Sequence, residues 1–248
     1  MTAIYTIWLR NVKKYLRSKS RIIGSLAQPL FFLVILGFGL KSVTIPGVQT
    51  NYVDFVFPGI IAMTVLFTSI FSGIQVIWDK QFGFLKETLV APVSRTSIMI
   101  GQTLGGATTA LIQGALILIL SLLITGVHTN FLGILIALGF MILIGLSLTS
   151  IGIIIASRME DMQGFQLIMN FLIMPLFLLS GALFPLSTAP KALQILTYFD
   201  PVTYGVEGIR YGLLGTSQIN PLICLLVLIV FTIVITIIGG ISFRKMKI

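Results

Sequence analysis

Few residues in this chain could do chemistry, and their spacing narrows the choice further. The 248 residues include one histidine, His128, one cysteine, Cys224, and seven acidic side chains. His128 lies in the short stretch 126–130 with no Cys, Asp or Glu close in sequence. It lacks the companions of a metal site. Cys224 sits in an apolar run and has no second cysteine to pair with. No G-x-x-x-x-G-K-[ST] occurs, so there is no phosphate-cradling loop to serve nucleotide hydrolysis. No nucleophile–base pair stands out. Two stretches remain in which charged and apolar residues are interleaved, 79–96 and 185–221.

The first reads DKQFGFLKETLVAPVSRT. It carries Asp79, Lys80, Lys86, Glu87 and Arg95, yet Phe82, Leu85 and Leu89 keep helical spacing (i, i+3, i+7). Pro92 blocks continuation of a helix and pushes Ala91 towards an extended backbone. The pattern predicts a short amphipathic helix across the cytoplasmic mouth of a membrane bundle, a handle for something soluble to push on. An ordinary connecting loop with some helix in it would read much the same way. In the second stretch, Ala192, Leu193, Ile195, Leu196, Tyr198 and Phe199 lead to the break Asp200–Pro201. Tyr204, Val206, Glu207, Ile209, Arg210, Tyr211 and Leu213 follow. Such segments are too short to span and too apolar for water. They predict a re-entrant helix pair in the outer leaflet, with Glu207 and Arg210 exposed there or paired at i, i+3.

These stretches must be positioned by membrane helices. The chain is 56% hydrophobic and 9% charged, with a mean hydropathy of +1.08. Soluble domains carry roughly 25% charge. Uncharged apolar runs cover about 22–40, 55–78, 97–124, 131–156, 165–184 and 222–243. Each approaches the roughly 20 residues that cross a hydrocarbon core of about 30 Å. They are continuous rather than alternating, so they predict helices and not a strand barrel. Their lack of ionisable residues argues against a proton-coupled carrier. Small residues, Gly101 with Gly105–Ala107 and Gly145, Ser147 and Gly152, predict close helix contacts. Pro29 and Pro175 are expected to kink the first and fifth spans.

Residues 1–21 form a second amphipathic element. Ile4, Trp8, Val12, Tyr15 and Leu16 share one helical face, and Arg10, Lys13, Lys14, Arg17 and Arg21 share the other. This predicts an interfacial helix with its basic face towards anionic headgroups, each basic residue contributing about 1 kcal/mol. A basic flank that merely orients the first span is the alternative. Thirteen of the sixteen basic residues fall on the side of the N-terminus, and only Lys41, Lys191 and Arg210 on the other. That asymmetry predicts both termini in the cytoplasm and explains the net charge of +9 without nucleic acid.

Three motifs in order carry a resemblance. They are Glu87-Thr88-Leu89 with Ala91-Pro92-Val93-Ser94; Met174-Pro175 with Leu179-Ser180-Gly181-Ala182-Leu183-Phe184-Pro185; and Asp200-Pro201-Val202-Thr203-Tyr204 with Glu207-Gly208-Ile209-Arg210. Together they resemble the permease subunit of ABC transporters of the type-2 exporter family, which includes drug-resistance, nodulation-factor and polysaccharide exporters. The likeness runs along essentially the whole chain.

It implies an all-α integral membrane protein of six spans, one transmembrane domain over residues 1–248. It has an N-terminal interfacial helix, a coupling helix in 79–96 and a re-entrant pair in 185–221. It further implies a homodimer of permeases bound to two separate ABC ATPase subunits, which hold the ATP and magnesium; this chain would bind neither and have no catalytic residue. Phe82, Leu85 and Leu89 would be the apolar contact with the ATPase, Lys86 and Glu87 its polar rim, and Pro92 its stop. Trp8, Arg10, Lys13, Lys14 and Arg17 would brace the ATPase from the membrane side. Tyr198, Asp200, Pro201, Tyr204, Glu207 and Arg210 would form the outer segment. The cargo would be an amphiphile. A non-transport membrane scaffold and an ATP-independent channel or carrier are the competing readings.

Overall fold

The structure, a computed structural model, describes residues 2–39, 51–85, 88, 93–127 and 129–246. Lys41, Lys86, Glu87, Leu89, Pro92, His128 and Lys247 lie outside the described residues. Among the described residues the regular elements are all helical. They are α1 (Thr2–Arg17), α2 (Lys19–Gly39), α3 (Tyr52–Phe71), α4 (Ile74–Gln81), α5 (Arg95–Thr125), α6 (Phe131–Ala156) and α7 (Met162–Leu179). A 3-10 turn (Leu186–Thr188), α8 (Lys191–Phe199), α9 (Pro201–Leu214) and α10 (Pro221–Arg244) complete the order. Five stretches are long and apolar enough to cross a membrane: Tyr52–Gln81, α5, α6, α7 and α10. The pair α1 and α2, bent by 72°, makes a sixth if taken as one span.

Helix boundaries follow local chemistry. Asn130 caps α6 by accepting from the Gly133 amide, Asp161 caps α7 at Gln163 and Gly164, and Asn220 caps α10 at Leu222. Each such cap satisfies amides that a first turn leaves orphaned. Gly126 and Gly215 end α5 and α9 in the left-handed region, at φ of 69° and 72°. Pro29 and Pro175 lie inside continuous helices. Two boundaries depart from the apolar runs. The run 55–78 is interrupted at Ser72–Gly73, and the fifth span ends at Leu179 rather than 184 because Gly181, at φ 68°, turns the chain.

Burial sorts the helices into centre and rim. α3 is covered on all sides, from Phe55 to Leu66 without a gap, as suits a helix apolar all round. α7 buries a single stripe, Phe165, Met169, Ile173 and Phe177, at four-residue spacing. α10 does the same with Cys224, Leu228 and Thr232. Their outer faces, with Leu167, Phe171, Leu226 and Val230, are uncovered. Such long apolar exposure suits hydrocarbon and not water.

Contact between helices is made by backbone. On α9, Gly205, Gly208 and Gly212 form one stripe against α6. A Cβ on Gly205 would meet Ile144 at 2.4 Å, and one on Gly212 would meet the Gly133 carbonyl at 2.7 Å. On α5, Gly101 and Gly105 seat α1, facing Ile7 and Asn11 at 2.9 and 2.7 Å. Gly73 and Gly152 abut at the α3–α4 break. Gly212→Ala must push against immovable backbone, so we expect a loss of about 1–3 kcal/mol and a lower thermal midpoint in micelles. Gly139→Ala, with nothing within 4 Å, is expected to leave the midpoint unchanged. Equal midpoints for the two variants would show that α9 is not seated by backbone contact.

Candidate functional site: two polar clamps

The first clamp centres on Asp79, near the end of α4 and 6% exposed. Its Oδ2 accepts from Arg10 at 2.5 Å and from Gln102 Nε2 at 3.0 Å, and its Oδ1 accepts from Gln75 Nε2 at 2.7 Å. Asn11 Nδ2 donates to Gln102 Oε1 at 2.6 Å, and Lys14 Nζ to Gln75 Oε1 at 2.9 Å. One carboxylate thus joins α1, α4 and α5. Removing one partner of such a pair leaves an uncompensated charge, at a cost of about 3–5 kcal/mol. The Arg10 guanidinium also lies 4.1 Å from the centre of the Phe84 ring, a cation–π contact. Two weaker ties reach the same end of the bundle. Lys80 pairs with the exposed Glu160 at 3.1 Å, which contributes little. Arg95 donates to the carbonyls of Arg244 and Met246.

The structure corrects the expected layout here. Arg10 does not face headgroups; it turns inward to Asp79. The apolar face of α1 lies along α5 rather than on lipid: Ile7, Val12 and Tyr15 are buried, and Trp8 Nε1 donates to Thr108 at 3.0 Å. Lys13, Lys14 and Arg17 are exposed, and so is Leu16. The stripe expected from Phe82 through Leu85 is split. Phe82 is 81% exposed and Leu85 is 1% exposed, because Gly83 takes φ 78° between them and breaks the helical register. Leu85 packs into the chain's own core.

The second clamp lies at the opposite end. The chain breaks at Asp200–Pro201 as the sequence predicts, with Pro201 in the first turn of α9 and Asp200 capping it through the Val202 amide. Glu207 and Arg210 are paired at i, i+3, but neither is exposed; both are fully buried. The glycine stripe explains this, since it sinks α9 onto α6. Arg210 also donates to the Gly181 carbonyl at 2.9 Å and stacks 4.1 Å from the Phe55 ring. Glu207 Oε2 accepts from the Gln218 amide at 2.6 Å. Burial pushes the Arg210 guanidinium down from its ordinary value, and Glu207 opposes that shift. Tyr204 is buried and donates to the Tyr198 carbonyl at 2.7 Å, while Tyr198 itself is exposed.

With both clamps in view, the likeness to known proteins can be weighed. Residues 2–214 match the family described as ABC-2 type transporter. The chain belongs to that family. The matched span takes in the charged residues of both clamps and stops before Gln218 and α10. A putative transport permease ycf38 of Cyanophora paradoxa is 30% identical over 193 residues, covering 77% of this chain and 67% of its own. Nodulation protein J of Rhizobium leguminosarum bv. viciae is 26% identical over 231 residues, covering 92% and 88%. The inner membrane transport permease YadH of Escherichia coli K12 is 24% identical over 233 residues, covering 93% and 90%. The ABC-2 chain is a multi-pass membrane protein and a transport permease.

Several members of the clamps escape a reading of charge and periodicity. Gln75, Gln102 and Asn11 are neutral, and Phe84 falls off the expected stripe. Gln102 did leave a signal, as an amide inside an apolar run, where polar side chains commonly join helices.

Two measurements follow from the second clamp. Arg210→Ala should destabilise the ABC-2 chain by about 3–5 kcal/mol, whereas Glu207→Gln with Arg210→Met, leaving no charge behind, should recover most of it. Equal losses would mean that the pair is not buried. Asp200 is 4% exposed and its Oδ2 has no hydrogen-bond partner among the described residues. Burial raises its carboxyl from 3.8 to about 7, against the lowering effect of the bond from the Val202 amide. The folded chain therefore binds this proton more tightly than the unfolded one. Its contribution is greatest below about pH 4, declines as pH rises and is gone above about pH 7. Asp200→Asn keeps a cap without the proton. It should flatten the thermal midpoint across that window and exceed the parent at pH 8; an unchanged slope would place the titration elsewhere.

Proposed function

We propose that this permease is the membrane half of an ATP-driven exporter, forming the substrate path across the cytoplasmic membrane and coupling to a separate ABC ATPase subunit. In this reading two copies of the chain associate, each binds one ATPase, and ATP and magnesium stay in the ATPase. Both termini face the cytoplasm, as the distribution of sixteen basic residues favours. The α8–α9 pair dips into the outer leaflet, with Ile195, Tyr198 and Phe199 uncovered there. Membership of the ABC-2 family supports an ATPase partner.

The observation that carries the proposal is the Asp79 clamp beside an uncovered aromatic. Phe82 follows α4 directly and stands 81% exposed. The α3–α4 break is packed on α6 through Gly73 and Gly152, and α4 is tied to α1 by Arg10 and to α5 by Gln102. A partner that grips Phe82 displaces all three neighbours together. The lever is stiff because a buried carboxylate with three donors has few alternative positions.

The test is co-purification with a co-expressed ABC ATPase, together with transport, at matched membrane levels. Phe82→Asp puts a charge at the contact and should lose ATPase recovery about tenfold or more, equivalent to one apolar anchor, while the permease accumulates normally. Leu85→Asp buries the charge within the chain itself and should reduce the level of folded permease. Full ATPase recovery with Phe82→Asp would mean that the drive enters elsewhere.

A further inference from the structure

A cavity of about 270 Å³ opens between α1, α2, α3 and α5, at the 72° bend between α1 and α2. Its chemistry is unusual for a bundle this apolar. Among the described residues Lys14 is the one charged residue in its wall, and its Nζ already donates to Gln75. The rest is amide, hydroxyl and apolar. Gln113, 2% exposed, lies deep in it. Its Oε1 accepts from Tyr15 at 3.3 Å and Thr68 at 3.1 Å, but among the described residues its Nε2 has no acceptor. Thr64 and Thr109 spend their hydroxyl protons on helix carbonyls, of Ile60 and Gly106, and leave lone pairs for another donor. Gln28, at the rim, makes no hydrogen bond among the described residues, and it shares one face of α2 with the uncovered Phe31 and Ile35.

We propose that this cavity seats the uncharged, hydroxyl-bearing headgroup of an amphiphile, with its apolar tail laid along Phe31 and Ile35. Donors without acceptors beside acceptors without donors match hydroxyl groups, which do both. Among the described residues a cationic headgroup finds no carboxylate in the wall, and an anionic one finds a single lysine at the edge. The volume falls just below that of pockets that enclose a whole drug-sized ligand, so a headgroup fits and its tail does not. This deepens the transport reading and rests on it for its meaning as a loading site.

The experiment uses the full chain in nanodiscs of dioleoylphosphatidylglycerol. Traces of two probes carry the same diazirine in one acyl chain: glucosyl-dioleoylglycerol, and phosphatidylglycerol itself. After photolysis, labelled peptides are mapped. The glucolipid should label α2 and α5 about three- to tenfold more than the phospholipid. Gln113→Leu and Gln28→Leu should each reduce that labelling by a similar factor, the effect of one lost hydrogen bond. Gln28 is exposed, so its variant folds even if Gln113→Leu does not. Equal labelling by the two lipids, or labelling indifferent to Gln28→Leu, overturns the proposal. ATPase co-purification is scored in parallel. Its persistence after failed labelling removes the cavity assignment alone, and its absence beside successful labelling leaves a lipid site and removes the transport reading.

Discussion

In hydrocarbon, apolar side chains gain nothing by leaving lipid for one another, so helices are held by closeness of approach and by polar contacts. This fold depends on closeness first. α9 lies on α6 with glycines facing across the seam, α1 lies on α5 over Gly101 and Gly105, and the α3–α4 break rests on Gly152. At each seam the gap is about a carbon atom short of admitting a methyl group. Dispersion falls off steeply with a gap of even half an ångström, so these seams act as fixed points. The longer apolar side chains on α7 and α10 can vary around them.

The polar contacts then fix direction and depth. Buried charge costs too much to leave unpaired, and both clamps spend each carboxylate oxygen on a donor. The Asp79 clamp gathers donors from three helices. The Glu207–Arg210 pair reaches the ends of α3 and α7 and the turn before α10. One sits at each end of the bundle, so the central helix α3, which runs between them, cannot slide along its axis without breaking one.

How much of this was legible depends on the distance over which each feature is decided. α6 coincides with its apolar run 131–156 because uniform hydropathy and the cap Asn130 are local. The break at Asp200–Pro201 is also local, set by a capping carboxylate and a ring without an amide hydrogen. The interruption at Gly73 was hidden, since what requires it is Gly152, far along the chain. Leu85 was misplaced because periodicity tells which residues share a face and not what covers that face. Glu207 and Arg210 read as exposed or paired at i, i+3; the pairing is local in sequence, but their burial is not. The three glycines around them, at i, i+3 and i+7, were the overlooked sign that α9 would be drawn into the bundle.

Arg10 and Asp79 are 69 residues apart in sequence. α1 emerges from synthesis well before the helices that receive it, carrying a strongly amphipathic pattern and no partner. Until Asp79 and Gln102 have been inserted, its apolar face has only lipid to cover it and its cations only headgroups. In the folded chain the two faces of α1 are divided between α5, which covers Ile7, and α4, whose Asp79 takes Arg10. The loop closed by this contact is long, and its entropy must be recovered late. Docking of α1 therefore waits on α5, and the ties to Glu160, Arg244 and Met246 complete this end of the bundle afterwards.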